Sequence, residues 1–127
     1  MITIQYCVDY NESSREMVVA TIGSKYSYLL YEFESMVATL NKQVNGVGWS
    51  ARVNTHSNHD IYMVVEHIDL PYIHCHSMYY SFYDNTVRFT YSQHKNSEKL
   101  VDYTRYADWT IPSRKVVREK LYKFMFN

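Results

Sequence analysis

Met78-Tyr79-Tyr80-Ser81-Phe82-Tyr83-Asp84-Asn85-Thr86-Val87-Arg88-Phe89-Thr90-Tyr91 reads as two alternating strands around a polar pair. If Asp84-Asn85 forms a two-residue turn, Phe82 faces Val87, Tyr80 faces Phe89 and Met78 faces Tyr91 on one side of a hairpin. Tyr83 then opposes Thr86, Ser81 opposes Arg88 and Tyr79 opposes Thr90 on the other side. Every apolar pair lands on one face, so the register is self-consistent. The second face turns Tyr79, Tyr83 and Arg88 toward solvent.

Working outward, Trp49–Thr55 and Ile61–His67 read as two further strands joined by the polar run His56-Ser57-Asn58-His59-Asp60. At the start, Ile2, Ile4, Tyr6 and Val8 alternate with Thr3, Gln5, Cys7 and Asp9, as in a half-buried strand. Ser13 and Glu16 have capping-box spacing ahead of Met17–Ile22, and Gly23 offers a stop, which predicts a short helix, while the β-branched Val18, Val19, Thr21 and Ile22 leave a second hairpin strand as the alternative. A longer helix is expected from Ser24 to about Val44. Tyr26, Leu29, Leu30, Phe33, Val37, Leu40 and Val44 recur at helical spacing, and Asn45-Gly46 ends the pattern. The tail predicts a helix over 97–109 and another after Pro112, in which Val116, Val117, Leu121, Phe124 and Met125 form the apolar stripe. The fold expected is α+β, with an antiparallel four- to five-stranded meander packed against a long helix and C-terminal helices. Residues 1–127 carry no linker or repeat and form one expected domain.

Bulk properties exclude several classes. The chain has 127 residues, no net charge, three glycines and two prolines, which is neither a disordered composition nor that of a glycine-rich nucleotide binder. No GxxxxGK[ST] or GxGxxG occurs. Residues 1–85 hold four basic groups against nine acids and residues 86–127 nine against four, so the charge is unevenly spread along a neutral chain. Cys7 and Cys75 make no CxxC pair and suggest reduced thiols. Met17–Ile22 and Ile61–Val65 fall far short of the ~18 apolar residues of a membrane span, and the start lacks a signal-peptide pattern. A cytosolic protein without a membrane role is expected.

Three constellations have chemical content. If 61–67 and 74–80 pair antiparallel around a turn near Leu70-Pro71, His67 falls opposite His74 with His76 two residues along the same face. Three imidazoles there are a weak candidate zinc set for a metal-dependent enzyme, unsupported by HExxH or CxxC spacing. Cys75 lies between His74 and His76, but neighbours in a strand point to opposite faces and cannot take its proton. Paired carboxylates such as Glu32 and Glu34 read as a solvated face. The last helix carries Arg114, Lys115, Arg118, Lys120 and Lys123 against Glu119, enough for phosphate contacts if nucleic acid is the partner.

Fourteen of the side chains are tyrosines. Tyr79, Tyr83, Tyr103, Tyr106 and Trp109 are expected to be partly exposed, and Tyr and Arg suit the centres of protein interfaces. The small size and the bias toward Tyr, Asn, Ser and Val over Ala and Leu resemble accessory proteins of bacteriophages. That resemblance implies a binding protein that modulates or inhibits a host protein by covering its surface. No catalytic residue and no cofactor are expected. The expected contact residues are Tyr79, Tyr83 and Arg88 on the hairpin, with Arg114, Lys115 and Arg118 on the last helix. Nucleic-acid binding through that helix and the aromatic hairpin face is the alternative.

Overall fold

A computed structural model describes residues 1–56, 60–70, 74–95, 97–106 and 112–123. Among them, seven strands form one mixed sheet and three helices pack on it, an α+β arrangement. Chain order is β1 (Ile4–Val8), β2 (Asn11–Glu12), α1 (Arg15–Ile22), α2 (Ser27–Val44), β3 (Trp49–Thr55), β4 (Asp60–His67), β5 (Cys75–Ser81), β6 (Thr86–Lys95), β7 (Glu98–Tyr106) and α3 (Arg114–Tyr122). The spatial order is β2-β1-β3-β4-β5-β6-β7.

The expected four- to five-stranded antiparallel meander is correct only for β3 to β7. β1 lies parallel to β3, with Ile4 beside Ala51 and Val8 beside Thr55. The helical pair α1–α2 connects these two strands, and a long crossover of this kind lets neighbours run the same way. β2 adds a short antiparallel edge to β1 through Asp9 and Tyr10, both at positive φ as a type I′ turn requires.

The hairpin that opens the sequence reading forms with a register displaced by two residues. Tyr80 pairs with Val87 and Met78 with Phe89, leaving residues 82–85 as a four-residue loop. A two-residue type I′ turn needs positive φ at both centres, and of Asp84 and Asn85 only Asn85 has it, at 53°. Side chains organise the wider loop instead: Tyr80 OH donates to Asn85 Oδ1 at 2.9 Å, and Thr86 Oγ1 to Asp84 Oδ1 at 2.6 Å. A shift of two leaves each side chain on its expected face.

A second correction falls on 97–109. Glu98–Tyr106 is a strand, not a helix, and it pairs along its whole length with β6. Its burial alternates with a period of two, Leu100, Asp102, Thr104 and Tyr106 being half-buried and Val101, Tyr103 and Arg105 exposed. Lys95 opposes Glu98 with Ser97 at φ 66°, so the polar residues there turn a hairpin instead of capping a helix. One C-terminal helix, α3, is therefore present among the described residues. Trp109, Phe124, Met125 and His59 lie outside them.

Helix starts also move. Ser14 caps α1, accepting from Met17 N at 3.3 Å, while Ser13 lies one residue too early. α2 begins at Ser27 after Tyr26, which makes no side-chain cap, and its end is as expected, with Asn45 left-handed at φ 58°. Leu29, Leu30, Phe33, Met36, Val37 and Leu40 of α2 meet Val53, Met63, Val65, Met78, Tyr80, Phe89 and Tyr91 of the sheet in one core. Val44, expected in that stripe, is 40% exposed at the helix end.

Glu32 is fully buried, contrary to its reading as a solvated carboxylate. Arg114 Nε lies 2.5 Å and Arg118 Nε 2.9 Å from its oxygens, which ties α3 onto α2. Glu34 is engaged too, by Arg15 at 2.7 Å and by Tyr6 OH at 2.5 Å. The uneven charge along the chain thus closes on itself where Glu32 of α2 meets Arg114 and Arg118 of α3.

Gly46 follows α2 at φ +68°, and a Cβ there would sit 2.2 Å from Ile2 N and 2.7 Å from Asn41 Oδ1. Asn41 clamps the N-terminal segment by accepting from Ile2 N and donating to Ile2 O. Gly46→Ala is expected to cost about 2 kcal/mol, because left-handed strain and the backbone clash add. Gly23→Ala, with φ +81° but nothing within 4 Å, should cost about half as much in urea unfolding.

Candidate functional site: the helix-free face of the sheet

The core cluster joins all three described helices to one face of the sheet. The opposite face carries no described helix. Strand alternation puts Arg52, Asn54, Tyr62, Ser77, Tyr79, Arg88 and Thr90 on it, because each flanks a core residue in sequence, and the β6–β7 register adds Tyr103 beside Thr90 and Arg105 beside Arg88. Register then orders them. Asn54, Tyr62, Tyr79, Arg88 and Arg105 lie side by side across five strands. The adjacent row is Arg52, Val64, Ser77, Thr90 and Tyr103.

The contacts within these rows define a polar aromatic surface. Arg88 lies over the Tyr79 ring, 4.4 Å from its centroid, and Arg52 lies over Tyr62 at 5.9 Å. The Tyr62 and Tyr79 rings are 6.4 Å apart. Arg52 also pairs with Glu66 at 3.0 Å. Burial raises the Tyr62 phenol, and burial followed by the Asp60 carboxylate raises Tyr79, so both present protonated hydroxyls at neutral pH.

Two depressions open on this face. The larger, about 360 Å³, is bounded by Tyr10, Asn54, His56, Asp60, Tyr62 and Tyr79. Tyr10, left-handed at φ 67°, packs edge-on to His56 and shares a 3.0 Å hydrogen bond with its Nε2. The second, about 220 Å³, lies among Tyr62, Ser77, Tyr79, Arg88, Thr90 and Tyr103. Of the expected contact residues, Tyr79 and Arg88 come together directly, while Tyr83 is 89% exposed in the adjoining loop. Arg52, Tyr62 and Arg105 were not foreseen. The alternation of β3, β4 and β7 carries the signal for them, but their neighbours become visible only from the register.

The basic terminal helix is differently disposed. Arg114 and Arg118 hold Glu32, Lys120 donates to Thr104 at 3.2 Å, and Lys123 pairs with Asp102. Arg118 holds the Glu32 carboxyl below its usual range, with Arg114 helping, against the opposing effect of burial. Lys115 is exposed and makes no ion pair among the described residues.

His67, His74 and His76 form a separate group at one end of the core face. His67 does fall opposite His74, with ring centroids 5.8 Å apart, and His94 lies 6.5 Å beyond His74. Asp69 N donates to His67 Nδ1 at 3.2 Å, which leaves the proton of the neutral ring on Nε2 and removes that lone pair from ligation. His76 is buried against Tyr91 at 5.2 Å, its Nδ1 without a hydrogen-bond partner. Among the described residues no three His, Cys, Asp or Glu side chains are grouped to hold a metal ion. Cys75 faces the other side of the sheet from His74 and His76, and burial pushes its thiol up to about 11. A thiol so placed is a weak nucleophile at neutral pH.

No described helix is long and apolar enough to cross a membrane. Comparison of the chain with family models, with curated proteins and with solved structures gives no match, so the site's own geometry has to carry the functional reading.

Proposed function

We propose that the protein is a non-enzymatic binding module that recognises a protein partner through the helix-free face of its sheet and acts by covering the partner's surface. The observation that carries this reading is the lateral row Tyr62–Tyr79–Arg88, in which an arginine stacks on a tyrosine beside a second tyrosine. Such side chains cover much area while losing few rotatable degrees of freedom. The tyrosine-rich, alanine-poor composition adds a host protein as the target, with a phage-encoded modulator as the source.

Single-stranded nucleic acid is the second reading, since exposed tyrosines can stack on bases. The pairing of Arg114 and Arg118 with Glu32 favours the protein partner, because it commits the main cations of α3 to the scaffold. Affinity capture from a nuclease-treated host lysate tests the proposal. One protein at defined stoichiometry is expected with the wild type, and Tyr79→Ala/Arg88→Ala should lower its recovery at least tenfold with unchanged thermal unfolding. Recovery unaffected by the double substitution would overturn the assignment of this face.

A further inference from the structure

Among the described residues β7 is the outermost strand of the sheet, hydrogen-bonded on one side only, to β6. Its other side presents a row of backbone N–H and C=O groups over nine residues. Natural edges of this length are usually blunted by proline, a bulge or a cover. β7 contains no proline and pairs with β6 in unbroken register from Val87–Tyr106 to Lys95–Glu98. Among the described residues no strand lies beyond it.

The two faces of this edge differ. On the core side Asp102 is held by Lys123, just past the end of α3, and Thr104 by Lys120 of α3, and Tyr106 packs edge-on to Phe89. On the helix-free side Lys99, Val101, Tyr103 and Arg105 follow one another, all exposed, with Val101 at 58% and Tyr103 at 56%. The order is cation, apolar, aromatic, cation. Arg105 stands directly opposite Arg88, a like-charge pair that weakens a sheet unless an anion joins it. No ion pair among the described residues engages Lys99, Arg88 or Arg105. The Asp84 carboxyl is held low first by Thr86 and only more weakly by Arg105.

We infer that β7 receives an extended acidic segment of the partner protein as an eighth strand, its carboxylates seated on Lys99 and Arg105 and its apolar side chains on Val101 and Tyr103. Backbone bonds along the edge supply affinity, and the outward side chains supply selection. The strand that fits repeats acid, apolar, apolar, acid at alternate positions. Arg105 extends the row of Tyr79 and Arg88 and Tyr103 borders the 220 Å³ depression, so the added strand continues the helix-free face. A second copy of this chain fits less well. In the register that lays Val101 on Tyr103, antiparallel self-pairing puts Lys99 opposite Arg105. This inference rests on the proposed protein-binding face and names the chemistry of what that face receives.

The test uses a capped nine-residue peptide with Glu, Val, Tyr and Glu at positions 2, 4, 6 and 8 and Thr at the other five, and a matched peptide with Lys in place of Glu. Titration of the full chain followed by amide hydrogen exchange should show saturable binding of the Glu peptide and slowed exchange confined to β7. Arg105→Glu should weaken it at least tenfold, and Lys99→Glu/Arg105→Glu should bind the Lys peptide instead, with circular dichroism confirming the fold of each variant. Equal binding of both peptides by the wild type, or no protection of β7 at millimolar peptide, would overturn the inference. So would a dimer in sedimentation equilibrium that the peptide dissociates, or an oligothymidylate that protects β7 in its place. Peptide failure alongside a captured partner that still needs Tyr79 and Arg88 would sink the strand-addition reading alone. Peptide binding at β7 with capture indifferent to those two residues would sink the face assignment alone.

Discussion

Removing both arginines that meet Glu32, as Arg114→Ala/Arg118→Ala, is expected to destabilise the protein by about 3 kcal/mol, because it strands a buried carboxylate without a counter-charge. For a chain of this length such a loss lowers the melting temperature by roughly 10 °C. Glu32→Met should cost less, about 1 kcal/mol, since the guanidinium groups it releases are more than half exposed and return to water. The asymmetry is the informative part. Combining all three substitutions should recover most of the stability lost in the arginine pair, and a thermodynamic cycle by urea unfolding measures the coupling directly. Additive losses would mean that α3 is held by Val117 and Leu121 alone. The pH dependence has a definite sign. The folded Glu32 pKa lies below its unfolded value, so its contribution is complete above about pH 4.5 and is lost as pH falls through the folded value.

Stability should also fall between pH 6.5 and pH 4, above the range in which carboxylates dominate, and His76 is the cause. Burial, with a smaller effect of neighbouring His74, brings its imidazole down to about 4 from an ordinary 6.5. The unfolded chain therefore binds a proton that the folded chain refuses. Its stabilising effect is complete above 6.5 and is lost as pH drops toward the folded value. The loss amounts to about 2 kcal/mol by pH 5 and about 3 kcal/mol by pH 4. Burial lowers His74 as well, which adds in the same direction. His76→Leu keeps an apolar side chain beside Tyr91, removes the unpartnered Nδ1 and should flatten this part of the profile. Guanidinium unfolding at pH 7 and pH 5 distinguishes the outcomes. A slope unchanged by His76→Leu would remove His76 as the cause and leave His74, which burial also lowers.

Much of the fold was legible because alternation and helical spacing are local signals. α2, α3, β1 and the four strands β3 to β6 follow from them, and the His67–His74 juxtaposition follows from one antiparallel pairing. Two errors share a physical origin. The residue types at Asp84-Asn85 and over 97–109 suit more than one backbone. The loop was settled by Tyr80 reaching Asn85 across the turn, and β7 by nine residues of pairing with β6 across a hairpin, and such cross-strand contacts are not encoded in the residue types of either segment alone. The two-residue register error left the candidate face intact, since side-chain direction repeats every second residue.

What the amino-acid sequence determined alone is therefore the periodic part: which residues of each strand and helix share a side, and hence that Tyr79 and Arg88 look away from the core. Periodicity needs only the geometry of one segment. Tertiary structure decided everything that depends on which segments meet. It turned Glu32 from an exposed acid into the buried anchor of α3, it committed Arg114 and Arg118 to that anchor, and it set Arg105 beside Arg88. These contacts span long stretches of chain, and their energies come from charge and burial that no single segment possesses before the chain has folded.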